Sequence, residues 1–252
     1  MSVLHKISLD ILINNFLKSK MNKETLIKLM QERGLAYPQF LRHAQENTAL
    51  TQWGTGKGEP YSLEPYRMER AGIKPGRLLP TSLEPAPNRY CYSYDEYGRV
   101  IHMIGDYRSI GFPDNKEWLH RDDFYEYGES HIIRYVFDTV FREGKDAKLS
   151  GVVWANIDED RRIYKSFHLE SKAYEYTEET YFYDGGNIVG IQLRWPEIAH
   201  PDIVYKIFHE SGNVVIFESY ENKGEKHSFD DRLGIQVYPS ILTTALLGTD
   251  HD

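Results

Sequence analysis

The sequence predicts an α+β protein, with N-terminal helices followed by a large antiparallel β-sheet of successive hairpins. Two changes of hydrophobic period and a break between them carry the prediction. Up to about residue 46 apolar residues recur every three or four positions, and beyond residue 89 they alternate. Between the two, residues 51–88 lose all period to glycine and proline, among them Gly54, Gly56, Gly58, Pro60, Pro65 and Pro75. The chain therefore divides into a helical region at 1–50, a Gly/Pro-rich connector at 51–88 and a β-hairpin domain at 89–252 that ends in a short helix.

In the helical region Leu4, Ile7, Ile11, Leu12 and Phe16 form one apolar stripe, and Leu26, Leu29 and Met30 a second. Asn22 is placed to cap the second helix and Gly34 to stop it at C′. LIKLMQERGLAYPQFLRHAQE then reads as helix, glycine turn and helix. That outline is shared with DNA-binding helix-turn-helix units, a reading that predicts salt-sensitive duplex affinity, although helical hairpins that simply pack are far commoner. In the connector Trp53, Tyr61, Tyr66, Leu78 and Leu79 could pin the chain to a neighbouring surface.

The hairpin grammar is clearest in YCYSYDEYGRVIHM. Tyr90, Tyr92 and Tyr94 share one strand face, Asp95-Glu96-Tyr97-Gly98 supplies a turn, and Arg99-Val100-Ile101 starts the return strand. YFYDGGNIVGIQLRW and YKIFHESGNVVIFESY repeat it, and VVWANIDEDRRIYKSFHL is a looser hairpin with Asp158-Glu159-Asp160 at its tip. Glycine at the turn supplies positive φ, and alternating aromatics pack across strands. One face of such a sheet is expected to be packed, while the other presents Tyr, acidic and Arg side chains.

Composition bounds the function. The chain of 252 residues, with 40% hydrophobic and 27% charged residues, is long enough for a sizeable core, and 19 Tyr, 11 Phe and 4 Trp favour β structure. One cysteine, Cys91, allows no intrachain disulfide and suits a reducing compartment, so a cytoplasmic location is expected. The first twenty residues do not read as a secretory signal, and no apolar run is long enough to span a membrane. Net charge is -8; residues 1–46 carry seven Lys/Arg against four Asp/Glu, and the remainder 23 against 34. An acidic body disfavours nucleic acid and anionic membranes, and suits a basic protein partner.

Tyr92, Tyr94-Asp95 and Gly98-Arg99-Val100 together resemble the YD repeat of the rearrangement-hotspot (Rhs) toxin family, whose consensus is Tyr-Asp, two residues, then Gly-Arg and an aliphatic. Tyr183-Asp184-Gly185-Gly186-Asn187-Ile188 is a shortened copy, and Phe208 to Val214 a degraded one lacking the Tyr-Asp pair. The match covers about a tenth of the chain, and its copies are too few to enclose anything, so the resemblance does not imply a toxin shell. It brings to mind the bacterial immunity proteins encoded beside contact-dependent and Rhs-type toxins, which are acidic, cytosolic and cysteine-poor, and cover the active site of a basic toxin domain. The surface this implies combines Tyr97, Asp158, Glu159, Asp160, Asp184 and Glu210 near hairpin tips, where rigid aromatics and acids would meet a cationic partner.

Enzyme readings find weaker support. HRDDFYEYGESH gathers His120, Asp122, Asp123, Glu126, Glu129 and His131, which could serve a metal-dependent hydrolase or nuclease-like enzyme, but its spacing matches no standard metal or kinase motif. GTGKGE fails both the P-loop and the dinucleotide patterns. Cys91 alternates with tyrosines in a strand, with His102 across the hairpin as a conceivable partner. The reading therefore names no catalytic residue, metal ligand or cofactor. Ile241, Leu242, Ala245, Leu246 and Leu247 at the C-terminus have helical spacing suited to capping the sheet or to a homodimer contact.

Overall fold

The structure, a computed structural model, describes residues 21–109, 118–139, 147–171, 175–210, 213–221 and 236–239, with the backbone alone at 106–109, 118–119, 210, 213, 221 and 236–239. The expected helix through Leu4 to Phe16, the turn glycine Gly212 and the C-terminal stretch at 241–248 lie outside the described residues.

Helix α1 spans Lys23–Arg33. The Asn22 side chain accepts from the Thr25 N–H at 3.0 Å, so the expected cap is in place. Gly34 ends the helix in a right-handed conformation (φ -55°) rather than the left-handed one expected of a C′ glycine, and the Ala36 N–H donates to the Arg33 carbonyl at 2.9 Å to turn the chain. Helix α2, Tyr37–Asn47, follows with Pro38 in its first turn, where a missing N–H costs nothing.

Among the described residues, thirteen strands form one antiparallel sheet. They are β1 (Leu50–Thr55), β2 (Arg77–Leu79), β3 (Arg89–Tyr94), β4 (Val100–Ser109), β5 (Trp118–Tyr127), β6 (His131–Thr139), β7 (Ala147–Ile157), β8 (Ile163–Glu170), β9 (Glu175–Asp184), β10 (Asn187–Arg194), β11 (Asp202–Glu210), β12 (Asn213–Glu221) and β13 (Gln236–Pro239). From β3 to β13 each strand pairs with the next in sequence, and β1 inserts between β3 and β2. The Gly/Pro-rich stretch thus contributes two strands, together with the short helix α3, Arg67–Arg70.

The central strands are packed on both faces, which corrects the expectation of one open face bearing tyrosines and charges. On one face α1 and α2 set Leu26, Met30, Tyr37 and Phe40 against Phe124, Tyr135, Phe137 and Trp154. Phe40 is the hub, its ring 4.7 Å from that of Tyr135 and 5.4 Å from that of Phe124. On the other face residues 57–75 lie as a cover, Leu63 packing with Tyr92, Tyr125 and Val153. Tyr92 OH donates to the Tyr61 carbonyl and Tyr90 OH to the Lys57 carbonyl, each at 3.3 Å. The three alternating tyrosines, Tyr90, Tyr92 and Tyr94, are therefore buried core. Burial on both sides explains why β6, HIIRYVFDT, is buried at nearly every position rather than at alternate ones, Arg134 included. Close approach of the two ends of the cover accounts for the glycines that flank it, since a Cβ on Gly56 would sit 2.5 Å from Gly76 Cα, and Gly56 has φ +144°.

Candidate functional site

In a sheet whose strands run in sequence order, alternate hairpins turn at the same end. The β3–β4, β5–β6, β7–β8, β9–β10 and β11–β12 tips therefore line one edge of the molecule. Two of these tips are built identically. In the first, Asp95 Oδ1 accepts the Arg99 N–H at 2.9 Å and Oδ2 the Arg99 Nε–H at 2.8 Å. In the second, Asp158 Oδ1 accepts the Arg162 N–H at 2.8 Å and Oδ2 the Arg162 Nε–H at 2.9 Å. Backbone bonds match too, Gly98 N–H to Asp95 O and Arg161 N–H to Asp158 O at 3.1 and 3.0 Å. Each arginine then lies over a tyrosine of the next hairpin, Arg99 4.8 Å from Tyr127 and Arg162 5.1 Å from Tyr183. Those tyrosines donate to the carbonyl that follows the arginine, Tyr127 to Val100 at 2.8 Å and Tyr183 to Ile163 at 2.9 Å. At the β9–β10 tip His209 Nε2 donates to the Ile188 carbonyl at 3.0 Å, an imidazole in the tyrosine's place.

The clasp makes a local prediction. Gly98 and Arg161 hold the equivalent position at φ +73° and +62°. Left-handed backbone costs a non-glycine residue about 1 kcal/mol, so Arg161→Gly should raise stability by about that much and Gly98→Ala should lower it by a similar amount in denaturant unfolding.

The row contains all six sequence-predicted surface residues, in different settings. Tyr97 is 64% exposed at the first tip. Asp158 is tied into the clasp, and Asp160 pairs with Arg162 at 2.8 Å. Glu159 and Asp184 are exposed, and Glu210 closes β11 at the last tip. Across the five tips, at 95–99, 128–131, 158–162, 184–187 and 210–213, the sequence carries eight Asp/Glu against three Arg. Arg162 Nη1 donates to the Gly185 carbonyl at 3.1 Å, joining two tips into one surface.

At the β3–β4 end the row opens into a basin of about 830 Å³ between α2 and the first two tips. Its walls include Phe40, Glu46, Tyr97, Tyr127, Glu126 and His131. His131 stacks on Trp154 at 4.3 Å, is 5% exposed, and leaves Nδ1 without a hydrogen-bond partner among the described residues. Burial depresses its pKa to about 4. A neutral imidazole in the fold and an ordinary one near 6.5 when unfolded give stability that is whole above pH 6.5 and lost as pH falls through about 4. His131→Phe, which keeps the stacking, should remove a loss on the order of 3 kcal/mol between pH 7 and pH 4, read as a smaller drop in Tm on acidification.

The acidic segment on β5 is divided by strand alternation. Asp122 faces the helices and Asp123 the cover, while His131 lies on β6, toward the opposite end of the strand pair from His120. Asp122 is buried, accepting from His102 Nε2 at 2.7 Å, His120 Nε2 at 2.9 Å and Tyr37 OH at 3.0 Å. Burial would raise its pKa, but the two imidazole hydrogen bonds outweigh it and hold the carboxyl at about 2. The arrangement anchors α2 to the sheet. No cluster of three or more His, Cys, Asp or Glu side chains suited to a metal ion occurs among the described residues. His102 lies opposite Ser93, one strand from Cys91, and burial raises the Cys91 thiol to about 11, away from thiolate chemistry.

Under the cover lies a charge network that no local pattern in the sequence announces. Arg134 grips Glu64 through both terminal nitrogens at 2.8 and 3.0 Å, and Arg70 grips Glu179 at 3.0 and 3.1 Å. Arg121 bridges Glu59 and Asp123. Burial would raise the Glu64 pKa, yet Arg134, aided by Arg67, draws it well below the usual carboxylate range; burial keeps Asp123 above that range despite Arg121 and Arg134. These pairs sew residues 59–70 to β5, β6 and β9.

Comparison with known proteins finds no matching family model, curated sequence or solved structure. No helix among the described residues is long and apolar enough to cross a membrane.

Proposed function

We propose that this chain is a protein-binding module of the immunity type, a cytoplasmic inhibitor that neutralises a basic toxin domain by covering it with the hairpin-tip edge. The observation that carries the reading is the acidic row itself: five tips on one edge, eight Asp/Glu against three Arg in their sequence, and an exposed aromatic at Tyr97. Charge mostly of one sign along a rigid edge steers and orients a cationic partner, and the exposed aromatic at its β3–β4 end anchors it. Rigidity comes from the Asp-Arg-Tyr clasps, which hold the β3–β4 and β7–β8 tips without partner contacts. Their resemblance to YD-repeat hairpins favours a place beside Rhs-type toxins, and the sheet-edge geometry suits occlusion rather than turnover.

The test uses the tagged protein co-expressed with the proteins encoded beside it. Stoichiometric capture of one basic domain, weakened at least tenfold by the triple reversal Glu159→Lys, Asp160→Lys and Asp184→Lys, is the expected result. Capture that is indifferent to the triple reversal would overturn the reading.

A further inference from the structure

Resting on the interaction reading above, we infer that the basin beside the first two hairpin tips receives an arginine or lysine side chain of the basic partner. Its volume, about 830 Å³, falls in the range of sites that enclose a ligand, with room for such a side chain and the backbone that bears it.

Charge selects the occupant. Arg99 is committed to Asp95 at 2.7 Å and Arg33 faces Glu126 at 3.3 Å. That leaves Glu46 on α2 and Glu96 on the β3–β4 turn, both lining the basin and without an ion-pair partner among the described residues. An anion would meet these carboxylates, whereas a cation passing between the helix and the turn is attracted from both sides. The second observation is His131. Its side chain is buried and lines the basin, and its Nδ1, shielded from bulk solvent, has no hydrogen-bond partner among the described residues. A neutral imidazole keeps a lone pair, which accepts an N–H from a guanidinium or ammonium without repelling its charge. Phe40 and Tyr97 supply apolar surface for the methylene stem.

The probe is N-acetyl-arginine amide, titrated into the folded protein against its uncharged norleucine counterpart, with amide shifts followed by NMR. Saturable shifts centred on Tyr97, Gly128 and His131, absent with norleucine and weakened three- to tenfold by Glu46→Gln with Glu96→Gln, would support the basin as a cation site. Both substituted residues are exposed, so the variant folds as the parent does. No saturation, equal shifts from norleucine, or affinity unchanged in the double variant would overturn it. If the probe fails while a basic partner still binds in a way that the tip reversals weaken, the basin inference falls and the interaction reading stands. A probe that binds while tip reversals leave partner capture untouched sinks the interaction reading alone.

Discussion

Glu64→Gln is expected to destabilise the protein by about 3–5 kcal/mol, a fall of roughly 6–20 °C in Tm for a chain of this size. Glu64 and Arg134 are 3% and 4% exposed and joined by two hydrogen bonds under the cover. Removing the carboxylate leaves a guanidinium in a dry site, which costs far more than the pair contributes over an apolar replacement. The paired change Glu64→Leu with Arg134→Met should therefore recover part of the loss, because neither member of the pair is left alone, while Asp123, which also faces Arg134 at 3.9 Å, keeps Arg121 at 2.9 Å. The sign with pH follows from the depressed Glu64 pKa: its contribution is whole above the ordinary carboxylate range near pH 4 and disappears in stronger acid. Glu64→Gln should flatten that acid limb. A single variant within 1 kcal/mol of the parent would show that the cover is not held by this pair.

Phe40→Ala is expected to cost about 3–5 kcal/mol, with the helical hairpin the first part to loosen. Phe40 is 7% exposed and packs against the rings of Phe124, Tyr135 and Phe137. Deleting the ring leaves a cavity lined by stiff aromatics that collapse poorly. Phe40→Leu keeps most of the volume and should cost under half as much. Hydrogen exchange in α1 and α2 distinguishes the two outcomes: loss of protection confined to the helices marks undocking, while uniform loss marks global destabilisation.

The hairpins at 90–104 and 181–194 are legible because turn chemistry and alternation agree locally. The hairpin at 152–169 reads as looser, although it carries the same clasp as the first. The reason is Arg161, which takes the left-handed position that glycine marks in Gly98, and nothing in a sequence announces an arginine held at positive φ. Asp158 and Arg162, spaced as Asp95 and Arg99 are, were the available signal. The tyrosine that completes each clasp comes from the next hairpin, Tyr127 and Tyr183, so the full unit exceeds any window in which turn grammar operates.

By itself the sequence determined the order of helices and hairpins and, through strict succession of strands, the gathering of Tyr97, Asp158, Glu159, Asp160, Asp184 and Glu210 along one edge. Those follow from local period and short turns, which act between neighbours in the chain. Only the tertiary structure decided which tyrosines are core, which carboxylates are spoken for, and that a Gly/Pro-rich connector is the cover of the second sheet face. Its ion pairs join residues 70 and 109 positions apart, Glu64 with Arg134 and Arg70 with Glu179. Such pairs form because folding brings the charges into one dry layer where neither can remain alone, and no periodicity records that encounter.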